Sequence, residues 1–215
     1  MIEIDTDFPY LGTRDYIHGT SILSGFLHAL EQHGHGGIKV KRVKFQRPAT
    51  TNGQLLLTTQ ALDEAAAGSA NCTFHATAGE TLWRGWYAER GVPVAGRLRV
   101  TYPIADLKPK AFGGNCTIHP NGRDELIRTL VEANKRFHEA AVEPASAAVR
   151  FGYLESWTMP RADIRVEGSL EAKNLITQKT EEGYMTINRL TYSDGRGASS
   201  TLTLCFTVTV GAQVP

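Results

Sequence analysis

Two apolar stretches of helical period, each followed by a train of strand-like segments, constrain this chain more than any other feature. The spacing predicts a first helix from Arg14 to about Gln32 and four strands between Ile38 and Ala88. A second helix is predicted from Asn121 to about Ala141, with strands from Ala148 to Val210. The offset between equivalent features drifts from 103 residues (Gly19 to Gly122) through 112 (Pro48 to Pro160) to 116 (Gly79 to Gly195), as a duplication with small loop insertions would show. The pattern is α+β, with an antiparallel sheet and one helix in each of two lobes, 1–107 and 108–215.

In the first helix Ile22, Leu23, Phe26, Leu27, Ala29 and Leu30 cover most of the cylinder, which predicts a buried central helix. Gly34-His35-Gly36-Gly37 ends it. From Ile38 the alternation places Ile38, Val40 and Arg42 on one side and Lys39, Lys41, Val43 and Phe45 on the other. Ala78-Gly79-Glu80 marks a hairpin between Thr73–His75 and Thr81–Tyr87. Gly91 to Gly114, rich in proline and glycine, reads as a connector with one strand-like piece, Leu98 to Tyr102, and a lobe boundary near Asp106 to Lys110. In the second helix Leu126, Leu130, Ala133 and Phe137 repeat at helical spacing, and Pro144 stops it. The last strand alternates strictly, Leu202, Leu204, Phe206, Val208 and Val210 against Thr201, Thr203, Cys205, Thr207 and Thr209. It is joined to Tyr184–Tyr192 through Ser193-Asp194-Gly195-Arg196-Gly197.

Charge narrows the function classes. Lys plus Arg (23) nearly balance Asp plus Glu (22), so no net field draws a polyanion or an anionic bilayer, and nucleic acid is not an expected partner. The acidic start MIEIDTDFPY lacks the pattern of a signal peptide, and no apolar run is long enough to span a bilayer, so a cytoplasmic location is expected. Cys72, Cys116 and Cys205 have no CxxC spacing and are expected to be buried thiols. His33 and His35 lack a third ligand at metal spacing, and neither a metal nor a cofactor is expected.

The order of motifs resembles the hotdog-fold acyl-thioester enzymes. Tyr16-Ile17-His18-Gly19-Thr20-Ser21-Ile22-Leu23 opens the first helix as the "His-Gly" or "Pro-Gly" of β-hydroxyacyl-carrier-protein dehydratases and enoyl hydratases does. Val43-Lys44-Phe45-Gln46-Arg47-Pro48 stands for their "Phe-x-x-Pro", and Asn52-Gly53-Gln54-Leu55 for "Pro-Gly-Asp-x-Leu". The resemblance covers roughly the first ninety residues by motif and the second half by element order. It implies a double hotdog, two curved antiparallel sheets each wrapped around a central helix. It also implies a 3-hydroxyacyl or enoyl thioester, carried on acyl carrier protein or coenzyme A, between the lobes. The chemistry is proton removal beside the thioester carbonyl and departure of the β-hydroxyl, which needs a general acid/base and a polarising helix N-terminus. The assembly could be a homodimer.

The catalytic candidates are His119, His18 and Asp7. His119, in His119-Pro120 before the second helix, is either the general base or a loop histidine that caps the helix. His18 precedes Gly19, whose missing side chain would let a thioester oxygen approach the backbone; alternatively it is a histidine satisfied by a backbone carbonyl. Asp7 stands in Asp7-Phe8-Pro9 where the family has His-Phe-Pro, as a base facing Glu125 or Glu132 or as a turn former. Gly19, Ser24, His28 and Glu132 are the expected substrate-binding positions. Ser24 occupies the place of the family's helix carboxylate by count from Gly19, Ile127 the equivalent place from Gly122, and Ser24 and His28 share a helix face. Lys39, Lys41, Arg42 and Lys44 could hold coenzyme A phosphates or the acidic face of a carrier protein, or form a solvated strand face. Trp83, Trp86 and Trp157 are read as core or tunnel lining. Two other readings are a thioesterase, against which the absence of an acid between His18 and Glu31 counts, and a non-catalytic acyl- or polyketide-binding protein.

Overall fold

In the computed structural model residues 1–61, 68–142, 148–158, 167–194 and 199–209 are described. Pro144, Pro160, Gly195 to Gly197 and Val210 lie outside them. The chain divides into two compact units, Met1–Thr101 and Tyr102–Pro215.

The first unit holds β1 (Ile2–Asp5), β2 (Tyr10–Leu11), α1 (Gly19–Gln32), β3 (Ile38–Phe45), β4 (Asn52–Thr58), β5 (Cys72–Ala78), β6 (Thr81–Val92) and β7 (Arg97–Leu98). Its antiparallel strands run in the order β1-β4-β6-β5-β3, and β2 and β7 form a short parallel pair. Helix α1 lies on this sheet, with Leu23, Phe26, Leu27 and Leu30 fully buried. Each such side chain contributes about 1.5–3 kcal/mol on burial. Phe26 stacks on Phe74 of β5 at 4.7 Å, and Gly85 of β6 leaves room for it, since a Cβ there would stand 2.9 Å from the Phe26 ring.

Two readings of this unit are corrected. Helix α1 begins at Gly19 rather than Arg14, because the Ile17 amide is taken by the Ala49 carbonyl (2.6 Å) and His18 caps the helix. In β3 the register against β5 shifts between Val40 and Arg42, so Val43 returns to the buried side with Ile38 and Val40 while Arg42 is exposed. A one-residue bulge flips every side chain beyond it, which strict alternation misassigns.

The second unit holds β8 (Ile104–Lys110), β9 (Gly113–Ile118), α2 (Arg123–Ala141), β10 (Ala148–Thr158), β11 (Gly168–Lys179), β12 (Gly183–Asp194) and β13 (Ser199–Thr209). The strand order is β10-β13-β12-β11-β9-β8, antiparallel throughout. Leu126, Ile127, Leu130, Val131, Ala133 and Phe137 of α2 are buried, as are Leu202, Leu204, Phe206 and Val208 of β13. The stretch read as a connector is corrected: β6 continues to Val92, and β8 and the start of β9 occupy 104–114. Pro109, the exposed Lys108 and Lys110, and a register shift between Ala105 and Lys108 hid β8 from a period-2 reading.

The element order repeats along the chain, but the sheet order does not. After α1 the four strands lie β4-β6-β5-β3, whereas after α2 they lie β11-β12-β13-β10. Loop length accounts for the difference. A tight turn at Gly79 (φ +59°) forces β5 beside β6, while residues 59–71 are long enough to carry the chain past β6. In the second unit the closed turn Thr180–Gly183 forces β11 beside β12.

Candidate functional site

In the first unit the motifs converge on the N-terminus of α1. Asn52 clamps the segment before the helix: its side chain accepts from the Phe8 amide (2.7 Å) and donates to the Phe8 carbonyl (3.2 Å). Phe8 then packs on the helix at Gly25, where a Cβ would stand 2.7 Å from its ring. Asp7, beside this clamp, is exposed. The loop 47–52 is tied down from several directions. Tyr10 donates to the Thr50 carbonyl (2.6 Å), and Tyr87, whose hydroxyl is pushed by burial up to about 12, donates to Thr51 (3.0 Å).

The anchor of that loop is Glu89, which sequence reading passed over. One carboxylate oxygen accepts from the amides of Thr50 (2.5 Å) and Thr51 (2.8 Å), the other from the Asn71 side chain (2.7 Å). Burial pushes this carboxyl up, but the hydrogen bonds from Asn71, Thr51 and Thr50 outweigh it and leave it below its usual value. Its contribution to stability is therefore complete above pH 4.5 and lost as pH falls through the lower native value. Glu89→Gln is expected to cost about 1.5–3 kcal/mol at neutral pH. Denaturant titrations should show the difference from the parent protein shrinking below pH 4.5.

His18 is buried and serves as the N-cap of α1, its Nδ1 accepting from the Thr20 amide (3.4 Å) and lying 2.7 Å from the Thr20 hydroxyl. The Thr20 hydroxyl and amide are thus among the partners of its ring. The space beside Gly19 is filled: a Cβ there would stand 2.8 Å from the Phe45 ring, so the glycine admits Phe45 of β3. Ser24 is buried and His28 exposed, one helical turn apart but in different surroundings. On the outer sheet face Lys39, Lys41, Arg42 and Lys44 are exposed, and Arg42 stands opposite His75, which stands opposite Arg84.

In the second unit His119 lies between β9 and α2. Its amide donates to the Pro103 carbonyl (3.0 Å), and its half-exposed ring faces Glu167, Nδ1 to Oε1 3.7 Å. It does not cap α2. The N-cap is Gly122 (φ +99°), with no side-chain cap, and the Asn121 amide is taken by Glu125 (2.5 Å). Arg123, only 2% exposed, and Asp124, with a buried Oδ1, occupy the first turn. Glu132 pairs along the helix with Arg136 (3.1 Å), whose guanidinium lies 6.0 Å from the Tyr102 ring.

Deeper in this unit sits a polar network that sequence reading also missed. His138 is fully buried, with Nδ1 2.6 Å from the Asn134 carbonyl and Nε2 2.5 Å from the Thr186 hydroxyl. Phe206 stacks on its ring at 5.2 Å and Phe112 leans on it at 5.6 Å. Asn188 donates to the Phe112 carbonyl (2.6 Å) and to Asn134 Oδ1 (2.7 Å), and receives from Asn174 (2.9 Å). These residues look ordinary in one dimension; only the i, i+4 spacing of Asn134 and His138 on an apolar helix face hinted at a buried pair.

Cys72, Cys116 and Cys205 are buried thiols, with burial raising Cys72 well above its usual value and Cys116 to about 11. Trp157 is fully buried and donates to Ser200 (2.9 Å); Trp83 is buried and Trp86 half-buried. Among the described residues no cluster of three metal-ligating side chains occurs, and no helix is long and apolar enough to cross a membrane.

In each unit a helix is laid on an antiparallel sheet, the arrangement of a hotdog fold. No family model and no curated protein matches the chain. Solved structures do. The dehydratase domain of PpsC from Mycobacterium tuberculosis, in complex with C12:1-CoA, matches with TM-score 0.57 and 12% identity over 96% of this chain and 92% of that one. The dehydratase domain of RzxB from Pseudomonas fluorescens matches with 0.55 and 11%, over 95% and 94%. A candidate thioesterase II from Thermobifida fusca YX matches with 0.54 and 11%, over 98% and 93%. At such identities the likeness shows the fold, which is the hotdog fold.

Proposed function

We propose that this protein is a double hotdog enzyme that interconverts 3-hydroxyacyl and trans-2-enoyl thioesters carried on acyl carrier protein or coenzyme A. We assign its lobes to 1–107 and 108–215, a division that lies inside β8, a few residues beyond the Thr101–Tyr102 junction of the two compact units. The observation that carries the reading is the accessible His119–Glu167 pair at the mouth of α2. Glu167, 3.7 Å from Nδ1, stands as an ion-pair partner for the positive charge that forms when Nε2 takes the α-proton. The same imidazolium then returns the proton to the departing β-hydroxyl, which leaves as water. The α2 N-terminus, with no side-chain cap at Gly122, suits polarisation of the thioester carbonyl. Asp124, on the first turn, is the second acid/base candidate. Within the first unit Asp7, His18, Ser24 and His28 are proposed as acyl-binding positions, and within the second unit Glu132. The dehydratase likenesses support this reading, and the complex of one of them with C12:1-CoA supports an acyl thioester as ligand.

Incubation with 3-hydroxyacyl and trans-2-enoyl thioesters of several chain lengths, followed by enoyl absorbance, tests the proposal; no turnover with any of them would sink it. His119→Gln keeps reach and polarity and is expected to preserve the fold while lowering kcat by a factor on the order of 10² or more. An unreactive acyl thioester should bind both forms alike. If His119→Gln turns over normally, the role passes to Asp124, His18 or Asp7. The likeness to the candidate thioesterase supports hydrolysis as a second reading, and release of free thiol without enoyl product would select it.

A further inference from the structure

We propose that the outer edge of β11 from Asn174 to Lys179 pairs, antiparallel, with the same edge of a second copy of this chain. Strand β9 covers β11 only from Gly168 to Ala172, and beyond that point the outer side of β11 has no strand neighbour among the described residues. On its inner side β12 stays paired as far as Lys179 opposite Tyr184. The segment is thus held extended by one partner while its other edge is open to pairing.

The outermost strands β1 and β8 are blunted. β1 is four residues long and carries the exposed Glu3 and Asp5. β8 carries Pro109, Lys108 and Lys110, is broken by a register shift, and has Asp106 at φ +51°. β11 is not protected in this way. Leu175 and Ile176 are 39% and 48% exposed, and a bulge between Asn174 and Ile176 sets them side by side opposite a single stretch of β12.

Charge selects a second copy as the occupant, and it selects the register. Pairing centred on Thr177 sets Lys173 of one chain opposite Glu181 at the hairpin tip of the other, with Glu182 next to it, and the two-fold axis repeats the contact at both ends. Centring on Ile176 would oppose Lys173 to Lys179. In the favoured register the stems of Gln178 and Lys179 cover the exposed Ile176 and Leu175. A contact of about six residues per chain is small, so the dimer is concentration-dependent.

Sedimentation velocity from roughly 10⁻⁶ to 10⁻⁴ M protein should show reversible dimer formation. Amide exchange at Asn174–Lys179 should slow as concentration rises. Ile176→Lys should abolish the dimer, and Glu181→Lys should weaken it roughly tenfold through like-charge opposition. The double exchange Lys173→Glu with Glu181→Lys should restore it. All three positions are exposed, and unchanged circular dichroism would confirm that the variants fold. A monomer throughout the range, a dimer that survives Ile176→Lys, or failure of the double exchange to restore association would overturn the proposal.

Discussion

Gly53→Ala is expected to destabilise the protein by about 3 kcal/mol or more, lowering Tm on the order of 10 °C. A Cβ at this position would collide with the Ala88 carbonyl oxygen and stand 2.7 Å from the Glu89 Cα. Both obstacles are backbone of the neighbouring strand, so no rotamer change relieves the clash. The register between β4 and β6 shifts at this point, with Gly53 opposite Glu89, and parting the strands would also loosen the Glu89 anchor. The Gly53 backbone is also held from the β1 side, its amide donating to the Thr6 hydroxyl (3.1 Å) and its carbonyl receiving the Thr6 amide (2.9 Å), so it cannot easily shift away from the clash. Gly36→Ala is the control. Nothing lies within 4 Å of its Cβ position, so its effect should stay within about 0.5 kcal/mol. Thermal denaturation of both variants tests the argument, and equal effects would refute it.

His138→Ala is expected to cost about 3–5 kcal/mol, because it empties a ring-sized volume between Phe206 and Phe112 and leaves Thr186 without its imidazole partner. Burial pushes this imidazole below its usual value of 6.5, partly offset by the hydrogen bond to Asn134 and the nearby Glu139 carboxylate. Below pH 6.5 the unfolded chain therefore binds a proton that the native state resists. Stability is complete above that pH and falls as pH drops through the window towards the depressed native value. His138→Phe keeps the stacked volume but cannot titrate, so it should flatten the decline expected of the parent protein below pH 6.5. Urea midpoints across that range measure it; an unchanged slope in His138→Phe would assign the pH dependence to another group.

The site was legible in the sequence only in part. Gly19, Gly53 and the Phe45–Pro48 segment could be marked by motif, but their physical reasons are contacts with residues far along the chain: the Phe45 ring for Gly19 and the Ala88 carbonyl for Gly53. His119 could be singled out because a histidine before a helix is a local pattern. Its partner Glu167 is separated from it by the whole of α2 and β10. Glu89, Asp124 and His138 carry no spacing that sets them apart from surface residues, since what distinguishes them is burial and partners supplied by other elements.

Periodicity alone placed both helices, the alternation of β13 and the tight turn at Gly79, because each depends on interactions within a few residues. Three features depended on the assembled fold. The bulge in β3 turns Val43 inward because strand register is set by β5. The start of α1 moves to Gly19 because Ala49 claims the Ile17 amide. The strand orders of the two units differ, although their elements follow the same succession, because a long connection can cross a neighbouring strand and a short one cannot. Pattern along a chain reports which face a residue prefers; which partner meets that face is a free-energy choice among non-local pairings, and it exists only once the strands have found one another.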